Sequence, residues 1–344
     1  MQKSIKVILL GLIVLILGGC VQDRQPKAPR FNSGMKQTKE WIDYNKYAKE
    51  NNQPILDFVA TTLKYKFKSG KVLNYDHFLP TDPKVAIETK WHNCKVSDIY
   101  EFKFFMPDGR LYHYGSFKPK NSNVKWTIWN SMFIKNVFPE KIQGTWKVEV
   151  IANGKIAVIK KFTIGENKQY AKANTNVTVG IFPYLDNKKM SSWKHGMILG
   201  EYIGWATLYN NKDIQVIPPK LISKDISNSN LDYDSFEDII KKDLKDDNGI
   251  ILPLAKKYNM NYIILGKVLS GWFGGMTLDT TVTTYIVDVK QRKIIDTIKT
   301  KYRLYRDDFN IATQYRVQGI HPHRLYIYKK VFEDLKTKIQ TLSK

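Results

Sequence analysis

Residues 166–184 read ENKQYAKANTNVTVGIFPY, and the chain changes character across them. Residues 166–176 (ENKQYAKANTN) are polar and carry no apolar period, which predicts a linker. From Asn176 to Tyr184 a β-branched run ends at a proline, the pattern of a buried strand that cannot continue past Pro183. Upstream, the apolar residues alternate with a period of two. Downstream, strand and helix patterns follow each other. The stretch therefore divides the chain into two folded units of different class, as a length of 344 residues also suggests.

On the upstream side, VAIETKW (85–91), IYEFKFFM (99–106), KWTIWNSMFI (125–134), TWKVEVIA (145–152) and KIAVIKKFTI (155–164) read as strands. Pro107-Asp108-Gly109 and Asn153-Gly154 are turn signals between them. Seven or eight short strands over residues 55–165 predict an immunoglobulin-like β-sandwich, with Trp91, Trp126, Trp129 and Trp146 packed between its sheets. The run from WHNCKVSDIYEFKFFMPDGRLY to QGTWKVEVIANGKIAVIKKFTI resembles sandwich domains of bacterial envelope proteins. Residues 36–50 suggest a short helix with Trp41, Tyr44 and Tyr47 along one side.

On the downstream side, WKHGMILGEYIGWATLYN (193–210) predicts an amphipathic helix, and DIQVIPP (213–219) a strand stopped by two prolines. Asp234-Ser235-Phe236-Glu237 is a capping box opening a helix to about residue 245. A helix over about 250–258 and the strand NYIILGKVLS (261–270) follow. TLDTTVTTYIVDV (277–289) and KIIDTIKTKYRLY (293–305) form a hairpin through Lys290-Gln291-Arg292. A last helix carries Leu325, Tyr328, Val331, Phe332, Leu335, Ile339 and Leu342 at helical spacing. The predicted class is α+β and multidomain, a sandwich followed by a two-layer or three-layer α/β domain with a mixed sheet. VGIFPYLDN, IQVIPP and AKKYNMNYIILGKV followed by TTYIVDVKQRKIID make residues 175–344 similar to the α/β domain of several envelope lipoproteins. These are the curli secretion channel subunit, activators of peptidoglycan synthases and the N-terminal domain of TolB-like proteins. The resemblance implies a docking and assembly platform without catalysis. The long membrane-spanning hairpins of the curli channel have no counterpart here.

The amino-terminal residues MQKSIKVILLGLIVLILGGC (1–20) decide location. Lys3 and Lys6 precede an apolar stretch, Val7 to Leu17, that is too short to span a bilayer core, which takes about 20 residues. It suits the apolar region of a signal peptide. Leu17-Gly18-Gly19-Cys20 resembles the lipobox of bacterial lipoproteins. That resemblance implies cleavage between Gly19 and Cys20 and a diacylglyceryl group on the Cys20 thiol. Two or more acyl chains, at about 0.8 kcal/mol per buried CH₂, would hold the protein stably on a membrane. Val21, where an Asp would mark inner-membrane retention, implies the outer membrane with the body facing the periplasm. Residues 20–54 read as lipid anchor and tether, with Pro26, Pro29 and Gly34 among polar residues.

The net charge is +23, and cleavage would remove Lys3 and Lys6 to leave +21. Basic residues outnumber acidic ones 11 to 6 in 21–79, 14 to 7 in 80–165 and 28 to 19 in 166–344, with no basic run longer than two. An excess spread this evenly predicts a solvated basic surface for contact with acidic envelope polymers or headgroups, and no specific nucleic-acid face. Beyond Cys20 the one further cysteine is Cys94, expected to be a small, partly buried residue with no disulfide.

No catalytic constellation stands out. The six histidines form no HExxH, and only His321-Pro322-His323 brings two together, as a turn before the last helix. Asp246-Asp247-Asn248-Gly249 puts Leu244 and Ala255 where a calcium loop needs carboxylates. Gly266-Lys267 lacks the rest of a P-loop, and Asp232, Asp234, Glu237 and Asp238 are explained by helix capping. No catalytic residue, metal or cofactor is expected.

Two features point to contacts. Gly196, Gly200 and Gly204 make one bare helix face, suited either to tight packing on the sheet or to a helix of a second subunit. Ser270-Gly271-Trp272-Phe273-Gly274-Gly275-Met276 reads as a hairpin tip with two aromatics, Trp272 and Phe273. They either meet a partner or fold back over the core. The sequence thus suggests a lipid-anchored, non-enzymatic accessory factor or scaffold for an envelope secretion or assembly complex, its partners being envelope proteins or copies of itself. An envelope glycan (peptidoglycan) hydrolase or a glycan-binding module is the alternative.

Overall fold

The structure, a computed structural model, describes residues 37–63, 74–122, 124–186, 194–226, 236–273, 277–305 and 322–343. It opens with helix α1 (Lys39–Glu50), capped by Thr38, whose Oγ1 accepts from the Trp41 backbone N–H. Strands β1 (Ile55–Thr62), β2 (His77–Phe78), β3 (Lys84–Cys94), β4 (Tyr100–Phe105), β5 (Leu111–Phe117), β6 (Val124–Phe133), β7 (Gly144–Ala152) and β8 (Lys155–Ile164) follow. They form a three-stranded sheet, β1-β3-β6, and a five-stranded sheet, β2-β8-β7-β4-β5. Phe102, Phe104, Trp146, Val148 and Val150 alternate inward on the second sheet, and Trp91 meets Tyr100 across the gap at 4.8 Å. The Asn153-Gly154 turn joins β7 to β8 with φ of 50° and 81°, values that Asn and Gly tolerate.

Two expectations need correction. Trp129 is not a core residue: it is 41% exposed, because Ile128 and Met132 take the inward phase of β6. Nor does the tether reach residue 54. Helix α1 buries Trp41, Tyr44 and Ala48 against the sandwich, with Trp41 Nε1 donating to Leu56 O and Tyr44 OH to Pro54 O, both at 2.8 Å.

The second unit holds β9 (Val177–Ile181), β10 (Leu185–Asp186), α2 (Lys194–Asn210), β11 (Ile214–Ile217), α3 (Pro219–Ser223), α4 (Phe236–Asp243), α5 (Ile251–Lys257), β12 (Tyr262–Phe273), β13 (Thr277–Asp288), β14 (Lys293–Tyr305) and α6 (Pro322–Thr341). Its mixed sheet runs β11-β9-β12-β13-β14, with β10 also parallel to β12. Ile264, Val268, Val282 and Ile286 point to the side covered by α2 and α6. Ile263, Leu265, Tyr285 and Val287 point to the side covered by α4 and α5. The unit is therefore three-layered. Helix α3, unforeseen, begins at Pro219: the Pro pair that stops β11 also starts a helix, since proline suits its first turn.

Helix α2 departs furthest from expectation. It is not amphipathic in its setting. From Leu199 to Leu208 every residue is buried, as a helix without a polar face must be. One side lies on β9 and β11, another on α6, and a third on β5 of the sandwich. The apolar core consequently runs through both units without a break.

Candidate functional site

The seam between the units is where chemistry-bearing side chains meet. Tyr112 on β5 stacks on Trp205 of α2, with centroids 5.6 Å apart and planes 12° apart, and also meets Trp146 edge-on at 5.3 Å. Phe138, in the turn before β7, packs on Tyr202 and Tyr209 at 5.6 and 5.1 Å. Such aromatic pairs contribute about 0.5–1.5 kcal/mol each beyond their area burial.

Polar groups fasten the same seam. Arg110 leaves the Pro107-Asp108-Gly109 turn, is 4% exposed, and donates through Nη1 to Asn211 O and to Ile214 O, the latter at 3.0 Å. It thereby ties the residue that follows α2 and the first residue of β11 to the sandwich. Its Nε donates to Asp108 Oδ2 at 2.9 Å, so the buried guanidinium is paired. Lys224, just beyond α3, reaches Glu101 on β4 at 2.7 Å, and Glu101 also accepts from Tyr114 OH. Burial pushes the Glu101 carboxyl up, but those two donors outweigh it and hold the group below its usual range.

At the centre, Glu201 of α2 accepts from Lys220 at 2.8 Å and lies 3.7 Å from His113 Nδ1. His113 Nε2 is bonded to Asn130 Oδ1 at 3.1 Å, which leaves Nδ1 without a hydrogen bond. Burial raises the Glu201 carboxyl above its ordinary value, with Lys220 opposing. Burial depresses His113 well below its ordinary value. A histidine beside a carboxylate with shifted titration is a pattern of acid–base sites. Here both side chains are about 5% exposed, His113 coming from the sandwich and Glu201 from the α/β unit.

The residues singled out from sequence are distributed differently. Gly19 and Cys20 lie outside the described residues, as do Asp232, Asp234 and His321. Trp272 and Phe273 end β12, paired in register with Leu278 and Thr277; Gly274, Gly275 and Met276 lie outside the description. The glycines of α2 are occupied within the chain. A Cβ at Gly196 would sit 1.7 Å from Tyr184 O, one at Gly200 3.0 Å from Phe182 O, and one at Gly204 3.3 Å from Val216 Cγ1. Tight packing on the connection after β9 and on β11 therefore accounts for them, and a second subunit's helix does not fit that face. Cys94 is buried, and burial raises its thiol, the opposite of an activated nucleophile. Asp243 caps α5 through Ile250 N and Ile251 N, and Asp246 bonds Asn248 N, so that acidic stretch serves local structure. Glu237 pairs with Lys241 one helical turn on. Among the described residues no group of three or more metal-ligating side chains gathers, and no helix is long and apolar enough to cross a membrane.

No family model and no curated protein matches the chain. Among solved structures it is similar to an immunoglobulin-like protein from Pseudomonas aeruginosa, at 11% identity and a TM-score of 0.25, over 33% of this chain and 96% of that one. It is also similar to lipoprotein GNA1162 from Neisseria meningitidis, at 11% identity and a TM-score of 0.29, over 47% and 99%. A third is the LpoB C-terminal domain from Salmonella enterica, at 13% identity and a TM-score of 0.22, over 38% and 83%.

Proposed function

We propose that this protein is a lipid-anchored component of a bacterial envelope that acts without catalysis, as an accessory or scaffold in a secretion or assembly complex. The observation that carries the proposal is Leu17-Gly18-Gly19-Cys20 after a charged and apolar leader, with Cys20 as the lipid attachment point. The body suits the role. Its shifted titratable pair, His113 and Glu201, is buried in the seam, and one apolar core runs through both units, leaving the outer faces for protein partners. Attachment to the outer membrane, with the body in the periplasm, follows from Val21 by the same resemblance.

Metabolic labelling with an alkyne fatty acid in a bacterial host tests the anchor. The wild-type chain should take up label and partition with membranes, and Cys20→Ala should do neither. Equal labelling of both would sink the proposal. Crosslinking in intact cells then tests the scaffold role, for which a reproducible envelope protein partner is the expected result.

A further inference from the structure

A cleft of about 390 Å³ opens at one end of the seam, where the turn after β4, the connection 170–174, the end of α2 and the entry to β11 converge. Its volume lies in the range of small-ligand sites, roughly 300–1,000 Å³, and junctions between folded units are where such sites occur. The floor is apolar, made by Met106, Ile142 and Leu208, all buried. Two tyrosines line it and are partly exposed, Tyr170 at 42% and Tyr209 at 40%, with Phe138 packed on the Tyr209 ring.

Three lysines, Lys141, Lys172 and Lys212, also line the cleft, and none makes an ion pair among the described residues. Lys141 lies 6.0 Å from the centre of the Tyr209 ring. Of the two lining carboxylates, Asp108 is neutralised by Arg110, while Asp213 is exposed and holds only its backbone carbonyl in hydrogen bonds. The mouth therefore has an excess of unpaired positive charge together with a carboxylate and an amide, Asn174, that can accept hydrogen bonds.

We infer that this cleft binds an acidic sugar, a pyranose ring bearing one carboxylate. The lysines supply the charge complement. The tyrosine faces suit the C–H face of a sugar ring, and Asp213 and Asn174 suit its hydroxyls. A phosphate fits less well. It has no apolar face to lie against the tyrosines and the buried Met106, Ile142 and Leu208. The ligand chemistry has two sources in an envelope, the uronic acid of an exopolysaccharide and the lactyl-bearing muramic acid of wall glycan. The site does not depend on the lipid anchor, so loss of fatty-acid labelling would leave it standing.

The test is calorimetric titration of the full-length chain in detergent with tetragalacturonate and with N-acetylglucosaminyl-N-acetylmuramic acid. Maltotetraose, inorganic phosphate and tetraglutamate serve as comparators. At least one acidic sugar should bind saturably, at least tenfold more tightly than every comparator, and which one does identifies the source. Lys172→Glu with Lys212→Glu should weaken that binding tenfold or more while leaving the melting temperature unchanged, since both side chains are exposed. Tyr170→Ala should weaken it without abolishing it. No saturable binding of either acidic sugar, equal binding of tetraglutamate or phosphate, or binding indifferent to the double lysine variant would each overturn the inference.

Discussion

Two helices of the α/β unit, α2 and α6, cover the same face of the same sheet yet solve different problems. Helix α6 buries Leu325, Tyr328, Val331, Phe332, Leu335 and Ile339 while exposing Glu333 and Asp334 on its other side. It is a surface helix with one partner layer. Helix α2 buries nearly everything, because the sandwich covers the side that would otherwise meet water. The difference shows that the two units are not beads on a linker. They share a core whose central rod is α2, and the polar stretch 166–176 runs over its outside.

The largest effect should come from Trp205→Ala. It removes a 4% exposed ring that belongs to both units at once. Truncations of this kind cost about 3–5 kcal/mol, and here they should also split a single unfolding transition into two. Leu335→Ala in α6, fully buried but distant from the sandwich, should cost about 2–5 kcal/mol and keep one transition. Denaturant unfolding followed by fluorescence and by far-ultraviolet dichroism distinguishes them: coincident curves for Leu335→Ala, separated curves for Trp205→Ala.

Next in size is a contrast along α2 itself. Gly196→Ala drives a methyl into the Tyr184 carbonyl, backbone that has little room to yield, and overpacking of this kind costs about 1–3 kcal/mol. Gly204→Ala meets two side-chain atoms, Val216 Cγ1 at 3.3 Å and Ile181 Cγ1 at 3.8 Å, and gains helix propensity worth about 1 kcal/mol, so its net change should stay within about 1 kcal/mol. Comparable losses at both positions would show that the helix does not approach the Tyr184 carbonyl as described.

The pH profile sharpens the comparison further. His113, depressed by burial, contributes stability that is present above its unfolded value near 6.5 and is lost as pH falls toward its folded value. Glu201, raised by burial, works in the opposite sense: its contribution is present below its unfolded value near 4.5 and is lost as pH rises through its folded value. Between pH 7 and 5 the His113 effect should dominate in Glu201→Gln, steepening the loss of stability on acidification, whereas His113→Asn should flatten it. Identical slopes in both variants would exclude the pair as the source. The smallest effect belongs to Lys241→Ala, which breaks a solvent-exposed pair with Glu237 and should leave the melting temperature unchanged.

Much of this fold was legible because one face of each element meets water. The strand runs of β3 to β8 and the spacing in α6 announce themselves by alternation. Helix α2 gave no such signal about its neighbours: an apolar helix records that it is buried, without recording by what. The fastening residues were equally hidden. Arg110 and Ile214, or Lys224 and Glu101, are more than a hundred positions apart and follow no spacing rule. Pro218-Pro219 signals the end of a strand, and the five-residue α3 that starts there is too short to show a helical period. The cleft gathers Lys141, Tyr170, Tyr209 and Lys212 from separate segments, each unremarkable by itself.

Scanning calorimetry of the wild-type chain tests the shared core most directly. One transition, with calorimetric and van't Hoff enthalpies equal, is the expected result, because neither unit can keep α2 covered alone. Two resolved transitions, one for the sandwich and one for the α/β unit, would contradict it.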